Sequence, residues 1–204
     1  MLNRYARAFF TKVLTPVAAL LIRLGVSPDV VTVIGTVGVA AGALVFYPRG
    51  EFLVGTLVIV AFVFSDTVDG IMARRLGRSS NWGAYLDSTL DRVGDAAIFG
   101  GLVLWYAGDG ENPYMAALAL ACLILGSVVS YAKARAEGLG MTANVGIAER
   151  ADRLVAVLFA TGFTGLLDLP DVYLGVVLAL LAVASLVTVV QRILEVRRQA
   201  LGGR

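Results

Sequence analysis

The sequence predicts an all-α integral membrane protein, with six transmembrane helices preceded by an amphipathic helix lying in the membrane interface. Three observations predict it. Of the 204 residues, 58% are hydrophobic and the mean hydropathy is +0.83, against about 45–50% apolar residues in soluble domains. The apolar residues fall in six runs, each close to the ~20 residues that a helical span requires. Short Gly-, Pro- and Asp-rich clusters, YPRGE, AGDGENP and LDLPD, separate several of them. Connections this short make neighbouring helices antiparallel and leave no second soluble domain. The reading is therefore one membrane domain, 1–204, with an interfacial helix over 1–25 and a six-helix bundle over 28–197.

The amino-terminal stretch scatters Arg4, Arg7, Lys12 and Arg23 among apolar residues, unlike a cleaved signal peptide. Leu2, Tyr5, Phe9, Val13 and Leu20 share one helical face, the pattern of a helix lying in the interface. The first span covers 28–46; Ser27 is placed to cap it, and Pro28 fits its first turn. Gly38 and Gly42 form a small-xxx-small pair for close helix contact. The remaining spans cover 52–75, 81–106, 113–137, 147–167 and 172–197.

Basic residues orient the bundle. With the amino terminus in the cytoplasm, Arg74, Arg75, Arg78 and Arg92 gather near the second-to-third connection. Lys133, Arg135, Arg150 and Arg153 gather near the fourth-to-fifth, and Arg192, Arg197, Arg198 and Arg204 at the carboxyl end. Only Arg49 falls on the opposite side, so the positive-inside rule puts both termini in the cytoplasm. The absence of histidine excludes imidazole catalysis and His metal ligands; the single cysteine, Cys122, lies in an apolar run and reads as packing.

Four aspartates, Asp66, Asp69, Asp87 and Asp91, stand inside this hydrophobic sequence. Charge at membrane depth is costly and marks a functional site. Spacings of three and four put each pair on one helical face. Four carboxylates without His or Cys form an all-oxygen site suited to Mg²⁺, Mn²⁺ or Ca²⁺. Two such ions could neutralise them and clamp a phosphate. The competing reading pairs the aspartates with Arg74, Arg75 or Arg92. Gly70 and Gly83 either admit a ligand to the backbone or serve helix packing, and Ala73 is small on the face of Asp66 and Asp69.

Together Asp66, Asp69-Gly70, Ala73-Arg74, Gly83, Asp87 and Asp91 form D-x2-D-G-x2-A-R-x8-G-x3-D-x3-D. This resembles the signature of the CDP-alcohol phosphotransferases, and the six-span reading agrees with that family. The resemblance implies transfer of a phosphatidyl-type group from a CDP-linked donor to an alcohol, with release of CMP. It implies two metal ions, Mg²⁺ with Mn²⁺ as a substitute, held by Asp66, Asp69, Asp87 and Asp91, with Asp91 also the general base. It further implies a donor pocket for CDP-diacylglycerol made by Pro28, Asp29, Thr32, Asp69, Gly70, Ala73, Arg74 and Ser80. A homodimer in the plasma membrane is expected on the same ground, and no nucleic acid.

The acceptor is read from the second half. Lys133, Arg135 and Arg153, joined by Arg192, are expected to meet at the cavity and bind an acceptor that carries its own phosphate. The alternative is positive-inside anchoring at helix ends. YAKARAE followed by E-R-x-x-R-L is similar to the actinobacterial phosphatidylinositol phosphate synthases, which implies inositol 1-phosphate. Glycerol 3-phosphate with the same chemistry stays open. A divalent-cation transporter is the reading from another class.

Overall fold

The computed structural model describes the backbone of residues 2–77 and 80–202, and side chains from residue 13 onward. The side chains of Leu2, Arg4, Tyr5, Arg7, Phe9 and Lys12, and all of Arg78 and Arg204, lie outside the described residues. The described residues are helical or in connections, with no strand: α1 (Leu2–Arg23), α2 (Pro28–Ala41), α3 (Phe52–Val63), α4 (Ser65–Arg75), α5 (Asn81–Ala107), α6 (Pro113–Gly138), α7 (Arg150–Leu167) and α8 (Asp171–Gly202). A π-turn over Gly42–Phe46 and a 3₁₀ turn over Tyr47–Arg49 extend α2.

Local chemistry explains the helix starts. The Ser27 hydroxyl accepts from the Val30 amide at 3.3 Å and Pro28 occupies the first turn of α2. The Ser80 hydroxyl caps α5 through the Gly83 amide at 3.1 Å. Glu149 and Asp152 form a reciprocal capping box on α7.

Among the described residues, four stretches are long and apolar enough to cross a membrane: Pro28–Arg49, Phe52–Arg75, Pro113–Gly138 and Asp171–Gly202. The other two predicted spans are helices of 27 and 18 residues. Their charges, Asp87, Asp91, Arg92 and Asp95 on α5 and Arg150, Asp152 and Arg153 on α7, separate them from plain apolar segments.

α5 packs on α2 and α6, α6 on α8, α3 on α7, and α7 on α8; α4 is covered by α2 and α1. One end of the bundle is closed by aromatic packing. Phe52 meets Tyr47 and Trp105 edge-on at centroid distances of 5.9 and 5.8 Å. There Asp171 accepts from the Tyr106 hydroxyl at 3.0 Å and from Asn112 Nδ2 at 3.2 Å. Asp66, Asp69, Asp87 and Asp91 lie toward the other end.

Two of the boundaries that differ from the sequence reading shape the surroundings of the site. The run 52–75 is two helices, broken at Phe64 where α2 comes very close. A Cβ on Gly35 would stand 1.7 Å from Ser65 Oγ, and one on Gly38 would enter the Phe62 ring. The glycine pair of the first span thus serves packing against α3 within one chain. The fifth predicted span begins, as α7, at Arg150 rather than at 147, because residues 139–149 run outside regular structure and are strapped to α8. Thr188 Oγ1 accepts from the Ile147 and Ala148 amides at 3.2 and 3.1 Å. Gly146 has φ +145° and lies where a Cβ would strike Thr188.

Candidate active site

α4 projects Asp66 and Asp69 from one face, and α5 projects Asp87 and Asp91 toward them. One carboxylate oxygen from each of Asp66, Asp69 and Asp87 lies within 4.8 Å of the others. They line an open cavity of about 560 Å³. Pro28, Asp29, Thr32, Asp69, Gly70, Ala73, Arg74 and Ser80, the residues the resemblance assigns to the donor, all line this same cavity, with Gly83 and Asp91. Gly70 and Gly83 meet no other helix: a Cβ there would find only Arg74 and Ser80 of its own neighbourhood, at 3.4 and 3.5 Å. They open space in the cavity wall rather than admit a packing partner.

The donor set suits a divalent cation. The three clustered carboxylates present only oxygen, the preference of hard cations. Of these three, only Asp66 has a cationic side chain within ion-pair distance among the described residues: Arg150 Nη1 at 3.7 Å. Asp69, 8% exposed, is approached by the Thr32 hydroxyl at 2.5 Å. Arg74 and Arg75 make no ion pair with any of the four aspartates among the described residues, so the alternative of arginine pairing holds only for Asp91 and, more loosely, Asp66.

Asp91 stands apart from the cluster of three. Its Oδ1 is 2.8 Å from Arg150 Nη1, and its Oδ2 is 3.8 Å from Arg92 Nη2. Asp95, one turn further along α5, is turned away from the large cavity. It meets Arg150 Nε at 3.1 Å, Arg92 Nη2 at 3.5 Å and Arg153 Nη2 at 3.9 Å. A second cavity, of about 20 Å³, lies behind Asp66 and Asp91 and is bordered by Thr36, Ser65 and Arg150.

Among the described residues, the lining of the large cavity contains none of Lys133, Arg135, Arg153 and Arg192; its basic members are Arg74 and Arg150. Arg153, 2% exposed, donates to the carbonyls of Ala148 at 3.0 Å and Gly126 at 3.4 Å. Gly126 leaves the room for it, since a Cβ would stand 3.2 Å from Arg153 Nε. Arg192, 4% exposed, donates to Val129 O at 2.5 Å and Val145 O at 3.0 Å. Both guanidiniums sit between α6, α7 and α8, where burial demands partners and the nearest are backbone carbonyls. Lys133, one turn beyond Val129, lies 4.0 Å from Glu137, and Arg135 is exposed.

Two contributors escaped the sequence reading. Arg150 shares a helical face with Arg153, and that three-residue spacing was the available signal. Trp82 donates from Nε1 to Asp29 Oδ2 at 3.0 Å, pinning the first turn of α5 to that of α2 at the cavity rim. A lone exposed Trp in the first turn of a charged helix carries no local mark of this bond.

Comparison with known proteins gives the family. The family model described as CDP-alcohol phosphatidyltransferase matches residues 25–190. The chain is 62% identical to the phosphatidylinositol phosphate synthase of Streptomyces avermitilis over 98% of its own length and 84% of the relative's. It superposes on the crystal structure of Mycobacterium tuberculosis phosphatidylinositol phosphate synthase with CDP-DAG bound with a TM-score of 0.85, at 42% identity, covering 91% of this chain and 94% of that one. A second structure of that synthase, in complex with manganese and citrate, gives a TM-score of 0.83 at 43% identity, over 90% of this chain and 88% of that one. Asp66, Asp69, Gly70, Ala73, Arg74, Gly83, Asp87 and Asp91 all fall within the matched region, and the chain belongs to the CDP-alcohol phosphatidyltransferase family.

Proposed function

We propose that this protein transfers the phosphatidyl group of CDP-diacylglycerol to inositol 1-phosphate, giving phosphatidylinositol phosphate and CMP. One observation carries the reading: α4 and α5 bring Asp66, Asp69, Asp87 and Asp91 to a single cavity together with Asp29, Thr32 and Arg74. It is a CDP-diacylglycerol-dependent phosphatidyltransferase.

Asp66, Asp69, Asp87 and Asp91 would hold two Mg²⁺ ions, with Mn²⁺ as a substitute. When bound, such ions supply charge neutralisation for the carboxylates and the donor's pyrophosphate. The chain's own residues do the rest. Gly70, Ala73 and Gly83 leave the backbone approachable, while Arg74 offers a planar cation to a phosphate oxygen. Pro28, Asp29, Thr32 and Ser80 complete the donor's surroundings. Asp91 takes the proton from the acceptor hydroxyl as its oxygen attacks the β-phosphorus. The new P–O bond forms as the bond from that phosphorus to the bridging oxygen breaks, and CMP departs.

The acceptor's phosphate is assigned to Lys133, Arg135, Arg153 and Arg192. Two facts support this assignment. Arg192 touches Val129, one turn from Lys133, and each buried guanidinium keeps N–H groups beyond its two carbonyl bonds.

Six spans are part of the same reading. The outward face of α7 carries Val155, Phe159, Phe163 and Leu166, all exposed and apolar, which suits lipid contact. In α1, Val13, Val17 and Leu20 point outward while Ala18, Leu14 and Leu21 pack on Val68 and Met72, as an interfacial helix would arrange them. We place the site on the cytoplasmic side of the plasma membrane, in a homodimer that meets through α5 and α6.

The test is CMP release by purified protein with CDP-diacylglycerol and Mg²⁺, comparing inositol 1-phosphate, glycerol 3-phosphate and inositol. Release with inositol 1-phosphate alone is expected. Release with glycerol 3-phosphate alone would keep the aspartate chemistry and refute the acceptor.

A further inference from the structure

The carboxylate read as the general base is held by a side chain that the aspartate signature does not contain. Arg150 presents a rigid fork: Nη1 points forward to Asp91 Oδ1 at 2.8 Å, and Nε points back to Asp95 Oδ1 at 3.1 Å. Its third neighbour, Asp66 Oδ2, lies at 3.7 Å. Asp95 is 8% exposed and sits one turn beyond Asp91 on α5. The fork is therefore anchored from inside the bundle and directed outward, where the Arg150 side chain is 27% exposed.

The backbone beneath Arg150 is fixed as firmly. The capping box of Glu149 and Asp152 starts α7 at this residue, and Thr188 of α8 holds the amides of Ile147 and Ala148 just before it. Asp91 Oδ1 is thus tied, while among the described residues its Oδ2 has only Arg92 Nη2 at 3.8 Å, beyond hydrogen-bond distance. A carboxylate held by one oxygen keeps the other in a set direction, which is what proton abstraction in a fixed geometry needs.

We propose that Arg150, buttressed by Asp95, is the positioning residue for Asp91: it fixes one carboxylate oxygen, leaves the other for a cation and the acceptor hydroxyl, and opposes cation binding at the neighbouring aspartates. The inference rests on the phosphatidyltransferase reading for its kinetic arm. Its binding arm needs no turnover.

Purified protein in detergent is titrated with Mn²⁺, followed by electron paramagnetic resonance, and CMP release is measured in parallel. Arg150→Gln removes a positive charge beside the acidic cluster, so Mn²⁺ should bind roughly tenfold tighter. In the same variant kcat should fall about a hundredfold, with the KM for CDP-diacylglycerol within about threefold of wild type. A damaged fold would weaken Mn²⁺ binding, so tighter metal with slower turnover is not the signature of misfolding. Arg150→Lys should return Mn²⁺ affinity to the wild-type value without restoring kcat, because one ammonium cannot span Asp91 and Asp95 together.

Asp95→Asn gives the second test. It should lower kcat in the wild-type background and add little in the Arg150→Gln background. Unchanged or weaker Mn²⁺ binding by Arg150→Gln, retained kcat, or an equal effect of Asp95→Asn in both backgrounds would each overturn the proposal. Absence of CMP release by wild type with every acceptor would instead defeat the functional reading and leave the Mn²⁺ comparison standing.

Discussion

Thr32 Oγ1 lies 2.5 Å from Asp69 Oδ2, joining α2 to α4 at the wall of the cavity, with both residues buried. The same hydroxyl is 3.1 Å from Pro28 O. A hydrogen bond to a charged group contributes about 1.5–3 kcal/mol. Thr32→Val keeps the shape and removes the donor, leaving Asp69 without its hydroxyl partner. Initial rates of CMP release should fall by about tenfold or more, whereas Thr32→Ser should retain most of the activity. Equal losses in both variants would show that the methyl group, not the hydroxyl, matters.

Gly35 is expected to tolerate no side chain while Ser65 faces it. An added Cβ would meet Ser65 Oγ at 1.7 Å and Ser65 Cβ at 2.5 Å, with the next atom, Phe62 O, at a comfortable 3.5 Å. Gly35→Ala should cost about 1–3 kcal/mol through overpacking and displace the start of α4, seen as a lower thermal midpoint and lost activity. Gly35→Ala combined with Ser65→Gly should recover much of the midpoint. A double variant no better than the single one would locate the strain elsewhere.

Removing divalent ions leaves the carboxylates of Asp66, Asp69 and Asp87 facing one another within 4.8 Å. Chelation should abolish CMP release and lower the thermal midpoint, and Mg²⁺ or Mn²⁺ should restore both. Ligand at about 100 times its Kd stabilises the native state by about 2.7 kcal/mol, which sets the scale of the shift. In Asp69→Asn the midpoint should respond much less to chelator. A shift as large as that of wild type would move the ion away from this cluster.

Arg192 bridges α6 and the 139–149 connection through Val129 O and Val145 O. Arg192→Lys can satisfy one carbonyl at a time, and leaving a buried acceptor unpaired costs about 1–3 kcal/mol. The thermal midpoint should drop, and the KM for the phosphorylated acceptor should rise while that for CDP-diacylglycerol holds. Movement of the CDP-diacylglycerol KM alone would remove Arg192 from the acceptor side.

Much of the fold and the acidic half of the site was legible because it depends on local geometry. Spacings of three and four set Asp66 with Asp69 and Asp87 with Asp91 on single helical faces. Ser27, Pro28 and Ser80 mark helix starts through groups within three residues. The break at Phe64 was not legible: the run 52–75 is continuously helical in character, and the interruption falls where α2 approaches Ser65 through Gly35.

The amino-acid sequence by itself determined the helices, the four aspartates, and the glycines that leave the cavity open, since each follows from periodicity or from the absence of a side chain. Only the tertiary structure decided where the basic residues go. Arg153 and Arg192 turned inward to backbone carbonyls, while Arg150 became the arginine that meets Asp91 and Asp95. Arg150 and Asp91 are 59 positions apart, and their meeting depends on α8 strapping the 139–149 connection through Thr188. The three-residue spacing of Arg150 and Arg153 puts both on one helical face but does not encode which partners each one takes. That choice is made by burial, which requires each guanidinium to find partners among whatever the packed helices bring within reach.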